Sequence, residues 1–213
     1  MPLAEERDLT AGSTAGPVVD GGNPIQNSSA LNLPNIITLS RLVLAIFLFW
    51  LIDLRDHWLA ACAVFIIAAA TDAIDGYIAR RYGQVTKIGR ILDPFVDKVI
   101  IGGAFMFLAV QPGSRVNAWM VISVIGREMF VTSLRSVLES EGKDFSATAS
   151  GKIKMVVQCF AVAASLLFLE YGSTTVRTPA MTALDIFLWC AVGVTLYSGY
   201  DYVVRAMKMF RRA

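Results

Sequence analysis

Four aspartates, Asp72, Asp75, Asp93 and Asp97, sit inside or beside two long apolar runs within residues 71–97. An unpaired carboxylate in such surroundings costs on the order of a few kcal/mol, so the cluster needs a compensating charge. Helical geometry points to a metal ion. At about 100° per residue, Asp72 and Asp75 share a face with Gly76 and Ala79, while Gly89, Asp93 and Asp97 form a stripe on the next helix. If the two faces meet, the carboxylate oxygens of all four aspartates converge. Hard oxygen ligands suit Mg²⁺ or Mn²⁺, and such a set has room for two ions bridged by a shared ligand, with a substrate phosphate beside them. Gly76, Ala79 and Gly89 keep the face low enough for a bulky ligand to approach the backbone. A solvated helix cap is the plainer account of an Asp-rich helix end. It explains neither Asp72 nor Asp75, which lie well back in an apolar run.

The spacing runs Asp72, two residues, Asp75-Gly76, two residues, Ala79-Arg80, eight residues, Gly89, three residues, Asp93, three residues, Asp97. It resembles the signature of the CDP-alcohol phosphotransferase family at every fixed position. That resemblance implies transfer of a substituted phosphate from a CDP-linked donor to an alcohol, with release of CMP, in a membrane-embedded helical fold. It further implies that Asp72, Asp75, Asp93 and Asp97 hold two divalent cations, Mg²⁺ or Mn²⁺, and that Asp97 is also the base that deprotonates the attacking hydroxyl. Gly76, Ala79, Arg80 and Gly89, with Asn35 and Thr38 from the first span, would line the CDP pocket by the same resemblance, and the protein would be a homodimer. For Asn35 and Thr38 a polar helix start is an adequate alternative account.

These residues need long apolar elements to carry them. Hydrophobic residues make up 55% of the 213 positions and charged residues 17%, with mean hydropathy +0.58. That is too apolar for an ordinary soluble domain and indicates an all-α, polytopic membrane protein. Residues 1–30 are polar, rich in Gly and Ser and without hydrophobic period, which predicts a disordered tail and no signal peptide. Residues 31–213 then accommodate six transmembrane helices of about 20 residues each, near 35–54, 58–80, 91–111, 117–138, 150–170 and 182–205. Pro94 is expected near the start of the third span, where its missing N–H is tolerated.

Of 19 Lys and Arg, only Arg55, Arg115 and Arg177 fall in the connections between spans one and two, three and four, and five and six. The positive-inside rule therefore puts both termini, the 81–90 connection and the active site at the cytoplasmic face. Cys62, Cys159 and Cys190 lie in apolar runs without metal-ligand spacing, so buried free thiols are expected. His57 stands alone in a polar connection.

A second constellation follows downstream. Arg127-Glu128 lies inside the fourth span, Arg135 two turns later, and Gly151-Lys152-Ile153-Lys154 opens the fifth. An arginine within a span must face a partner or a wet cavity. Internal pairing with Glu128 or an aspartate is the structural alternative for Arg127, and positive-inside placement the alternative for Arg135, Lys152 and Lys154. Lys152 and Lys154 are about 200° apart on a helix and do not serve one pocket equally.

These segments, with the Asn32-Leu33-Pro34-Asn35 to Arg41 opening, resemble the bacterial family members that make phosphatidylglycerophosphate. Such a resemblance implies CDP-diacylglycerol as donor and glycerol 3-phosphate as acceptor, with Arg127, Arg135, Lys152 and Lys154 for the acceptor phosphate, in a bacterial inner membrane. Membrane lipid is the expected surrounding partner and nucleic acid is not expected. Cardiolipin synthesis and transfer to inositol phosphate are the nearest rivals. A divalent-cation transporter would spread its carboxylates through the membrane depth, whereas these lie at one end of two adjacent spans.

Overall fold

The computed structural model describes the backbone of residues 33–82, 87–140, 149–172 and 178–210, and within these the side chains of 38–71, 95–140, 150–172 and 178–209. The described residues form six α-helices and no strand. They are α1 Leu33–Asp53, α2 Trp58–Tyr82, α3 Lys87–Ala109, α4 Ala118–Ser140, α5 Ala149–Tyr171 and α6 Pro179–Phe210. The expected tail, 1–30, lies outside the described residues.

Local chemistry sets several boundaries. Asn117 caps α4, its Oδ1 accepting from Met120 N at 3.1 Å. Thr178 caps α6, its Oγ1 accepting from Met181 N at 3.3 Å, and Pro179 takes the first helical position, where no N–H is required. Arg55 and Arg115, in the connections after α1 and α3, adopt φ of 66° and 64°. Arg115 is held there by two bonds to Asp185 of α6, at 2.7 and 2.5 Å, and these bonds keep its guanidinium above the usual arginine pKa range.

Two expectations require correction. The 81–90 connection is largely helical, because α2 runs on to Tyr82 and α3 begins at Lys87. Pro94 consequently sits inside α3 and leaves the Arg90 carbonyl without its usual helical donor. The three thiols are also unlike one another: Cys62 is buried, Cys159 intermediate and Cys190 exposed. Cys190 falls on the outward face of α6, where an apolar side chain is tolerated outside as well as inside.

α1 packs against α2 and α3, α3 also against α4 and α5, α5 against α2 and α6, and α4 against α6. The buried stripe of α1 is Thr38, Arg41, Ala45, Leu48 and Ile52, at alternating steps of three and four. It meets a core that includes Phe65 of α2, Phe105 of α3, Leu166 of α5 and Leu188 of α6. At Gly103 of α3 a Cβ would stand 2.2 Å from the Phe49 ring, so the glycine admits α1 at close range. Phe49 stacks in turn on Phe107 at 5.0 Å.

Short connections reverse the chain between successive helices. The polar contacts agree: the start of α1 meets the start of α3 through Arg41 and Asp97, and the start of α5 meets the end of α6 through Ser150 and Asp201. One end of the bundle thus collects the starts of α1, α3 and α5 and the ends of α4 and α6. The outward faces are apolar, with Val43 and Ile46 of α1, Ile122 and Met129 of α4 and Ile186 and Trp189 of α6 all exposed. Among the described residues, two helices, over Ser150–Tyr171 and Pro179–Met209, are long and apolar enough to cross a membrane.

Candidate active site

Asp97 lies in the third turn of α3 and points toward α1, where Arg41 Nη1 donates to its Oδ1 at 2.8 Å. Arg41 is 2% exposed and Asp97 30%, so the guanidinium is the buried member and the carboxylate keeps a face open. Arg41 occupies this place because it continues the inward stripe one turn after Thr38. No motif spacing marks it for chemistry in the sequence. The signal was present: a lone arginine in an apolar run, on the inward phase of the helix, is subject to the same reasoning that singled out Arg127.

A cationic cluster stands across from Asp97. Glu128 of α4 accepts from Arg127 Nη1 at 3.1 Å and from Lys154 Nζ of α5. The internal Arg127–Glu128 pairing is therefore real, but one carboxylate serves two cations. Arg127 Nη2 reaches Ser198 Oγ of α6 at 2.7 Å, and Arg135 Nη2 reaches the Tyr202 hydroxyl at 3.1 Å. Arg127 and Arg135 each retain a buried Nε without a hydrogen-bond partner among the described residues. Buried donors left unspent are unusual outside functional sites. Nearby, Lys98 Nζ donates to Thr132 Oγ1 at 2.6 Å, and Gln158 Nε2 to Thr195 Oγ1 at 2.9 Å.

Of these groups, Asp97, Lys98, Glu128, Lys154 and Gln158 line one cavity of about 150 Å³, together with Ile101 and Met155, and Arg127 adjoins it through Glu128. The expected base and one expected phosphate-binding lysine thus face the same space, from α3 and α5. Lys154 is buried and Lys152 exposed, the separation that their helical phase implies. Ser198, Tyr202, Gln158 and Thr195 had not been singled out, since ordinary hydroxyls and amides in apolar runs carry no spacing signal.

Thr38 is buried near the start of α1. Asn35 lies on α1, Asp72, Asp75, Gly76, Ala79 and Arg80 on the second half of α2, and Gly89 and Asp93 on α3, but their side chains lie outside the described ones. Asp93 precedes Asp97 by one helical turn on continuous helix, so α3 offers two carboxylates at the spacing of a shared face. That hard, anionic donor set fits a divalent cation, and the open side of Asp97 leaves it accessible.

Comparison with known proteins supplies an independent line. The family described as CDP-alcohol phosphatidyltransferase matches residues 31–197. The chain is 39% identical over 186 residues to a CDP-diacylglycerol–glycerol-3-phosphate 3-phosphatidyltransferase of Bacillus subtilis (strain 168), covering 80% of this chain and 93% of the relative. A probable phosphatidylglycerophosphate synthase of Mycobacterium tuberculosis (strain H37Rv) is 36% identical over 182 residues, covering 83% and 82%. A Rickettsia bellii protein carrying the same description as the Bacillus relative is 32% identical over 182 residues, covering 84% and 97%.

Proposed function

The chain belongs to the CDP-alcohol phosphatidyltransferase family, and from that premise we propose that it moves the phosphatidyl group of CDP-diacylglycerol to sn-glycerol 3-phosphate, releasing CMP and forming phosphatidylglycerophosphate. The observation that carries this reading is the cavity in which Asp97 faces Lys98 and Lys154. A base beside a cationic pocket suits an acceptor that has both a free hydroxyl and a phosphate of its own.

In the reaction, Asp97 takes the proton of the acceptor hydroxyl as that oxygen attacks the lipid-linked phosphorus of the donor. A new P–O bond forms, the P–O bond to CMP breaks, and CMP leaves with the electron pair. Asp72, Asp75, Asp93 and Asp97 would hold two divalent cations, Mg²⁺ or Mn²⁺. When bound, these offset negative charge on the pyrophosphate and on the departing CMP. Arg41 fixes the direction of the Asp97 carboxylate. Lys154, Arg127 and Arg135 receive the acceptor phosphate, with Glu128 holding two of these cations in place beforehand. Of the two neighbouring lysines, the buried Lys154 takes this role in preference to the exposed Lys152. Asn35, Thr38, Gly76, Ala79, Arg80 and Gly89 form the CDP side of the pocket.

The protein is organised as a 1–30 tail and a 31–213 domain of six spans, with both termini and the active end at the cytoplasmic face of a bacterial inner membrane. The apolar outward faces and the basic residues gathered toward that end support the placement. A homodimer is the assembly expected of the family, and cross-linking in native membranes checks it.

The test is CMP release by purified protein with CDP-diacylglycerol and Mg²⁺ or Mn²⁺, offered glycerol 3-phosphate, inositol phosphate, serine, inositol or phosphatidylglycerol. Release with glycerol 3-phosphate alone is expected. Release only with another acceptor would overturn the acceptor assignment and keep the donor chemistry.

A further inference from the structure

Tyr202 sits near the end of α6, 2% exposed, in a small apolar cluster with Val131, Leu138 and Ala206. A hydroxyl so deeply placed requires a polar partner, and Arg135 Nη2 supplies one at 3.1 Å. The ring is used as well. The Arg127 guanidinium carbon stands 5.4 Å from its centroid and that of Arg135 5.8 Å. Two like charges gathered beside one ring repel each other, and the negative ring face is one of the few apolar surfaces that attracts both.

The neighbouring turn of α6 completes the support. Ser198 accepts from Arg127 at 2.7 Å, and at Gly199 a Cβ would stand 3.1 Å from Arg127 Cγ, so the absence of a side chain lets the arginine lie flat. Both buried Nε groups remain without a hydrogen-bond partner among the described residues. Aromatic contact and a few end-on bonds hold the two arginines, with Arg127 also paired to a Glu128 carboxylate that it shares with Lys154.

We propose that Tyr202 is a positioning residue for acceptor recognition, its hydroxyl and ring setting Arg135 and Arg127 so that both guanidinium groups address one phosphate-bearing acceptor. This rests on the glycerol 3-phosphate reading above. It assigns to α6 a part in specificity that acts through α4, without contact between Tyr202 and the reacting atoms.

The test uses the full chain, purified in detergent, with CDP-diacylglycerol and Mg²⁺, titrating glycerol 3-phosphate against wild type, Tyr202→Phe, Tyr202→Leu, Arg135→Ala and the Tyr202→Phe/Arg135→Ala double variant. Tyr202→Phe keeps the ring and the packing and removes the oxygen. It is expected to raise the KM for glycerol 3-phosphate about three- to tenfold, with kcat and the KM for CDP-diacylglycerol within about twofold of wild type. Tyr202→Leu, which loses the ring too, is expected to raise the acceptor KM further. In the Arg135→Ala background the Phe substitution should add almost nothing, because the hydroxyl acts through Arg135.

An unchanged acceptor KM in Tyr202→Phe would overturn the proposal, as would full additivity in the double variant or an equal loss for both substrates. If Tyr202→Leu does not fold, the near-isosteric Phe variant and the double-variant comparison still decide. Wild type that uses some other acceptor but not glycerol 3-phosphate would overturn the functional reading and this proposal together. Normal wild-type kinetics with an unaffected Phe variant would overturn the tyrosine's role alone.

Discussion

Arg41 and Asp97 are joined at 2.8 Å between α1 and α3, with the guanidinium almost wholly enclosed and the carboxylate partly open. The pair ties the helix that begins the bundle to the helix that carries the base. A carboxylate steered by a buried, permanently charged neighbour keeps one orientation.

Removing that steering should cost turnover more than binding. Arg41→Ala is expected to lower kcat for CMP release by roughly ten- to a hundredfold, the penalty typical of a misplaced catalytic group. Arg41→Lys should recover part of the loss, since it restores charge without the planar fork. Wild-type kcat in Arg41→Ala would refute the positioning role.

Asp97→Asn preserves the size of the side chain and removes its basicity. CMP release should fall about 10²- to 10⁴-fold, while CDP-diacylglycerol binding, measured directly by equilibrium titration, stays largely in place. Near-normal activity would rule Asp97 out as the base.

Lys154 and Lys152 form an internal control. Lys154→Ala should raise the KM for glycerol 3-phosphate about tenfold or more, since it deletes a charge-assisted contact in a desolvated cavity. Lys152→Ala should change it less than about twofold, its side chain being exposed. Equal effects would show that the cavity of Asp97 and Lys154 is not where the acceptor binds.

Divalent-ion removal separates the donor chemistry from transport or scaffolding. Excess chelator should abolish CMP release, and Mg²⁺ or Mn²⁺ should restore it in the wild type. Substituting Asp72, Asp75 or Asp93 by Ala should weaken that restoration, shown as a higher ion concentration for half-maximal activity. Undiminished turnover in chelator would reject the carboxylate–metal reading.

The α1–α3 contact can be tested through stability alone. Gly103→Ala would set a Cβ 2.2 Å from Phe49, a ring itself stacked on Phe107. The overpacking should cost about 1–3 kcal/mol and appear as a lower Tm in detergent. Gly126→Ala, where nothing lies within 4 Å of the added carbon, should leave Tm nearly unchanged.

Much of this protein is legible in its residue order. Apolar runs of bilayer length, interrupted by Pro, Gly and charge, place all six helices to within a few residues, because hydrophobic length is a local property. The spacing of Asp72, Asp75, Asp93 and Asp97 is likewise local, since a helix converts sequence separation directly into angle. The same phase argument separates Lys152 from Lys154. Helix ends were less legible. The polar 81–90 stretch reads as a loop, yet most of it is helix, because apolar length marks where a membrane ends and not where backbone hydrogen bonding stops.

Which faces meet was decided only by packing. Nothing in the order of residues says that Arg41 lies on Asp97, that Lys154 comes to share the Glu128 beside Arg127, or that Tyr202 supports both Arg127 and Arg135. Those relations join residues on different helices. They depend on the rotation and approach of each helix, which are set by inward stripes such as Thr38 to Ile52 and by close-contact positions such as Gly103 and Gly199. Sequence carries the chemistry of each helix face, and the tertiary structure chooses its partner, because that choice minimises the free energy of all the faces together.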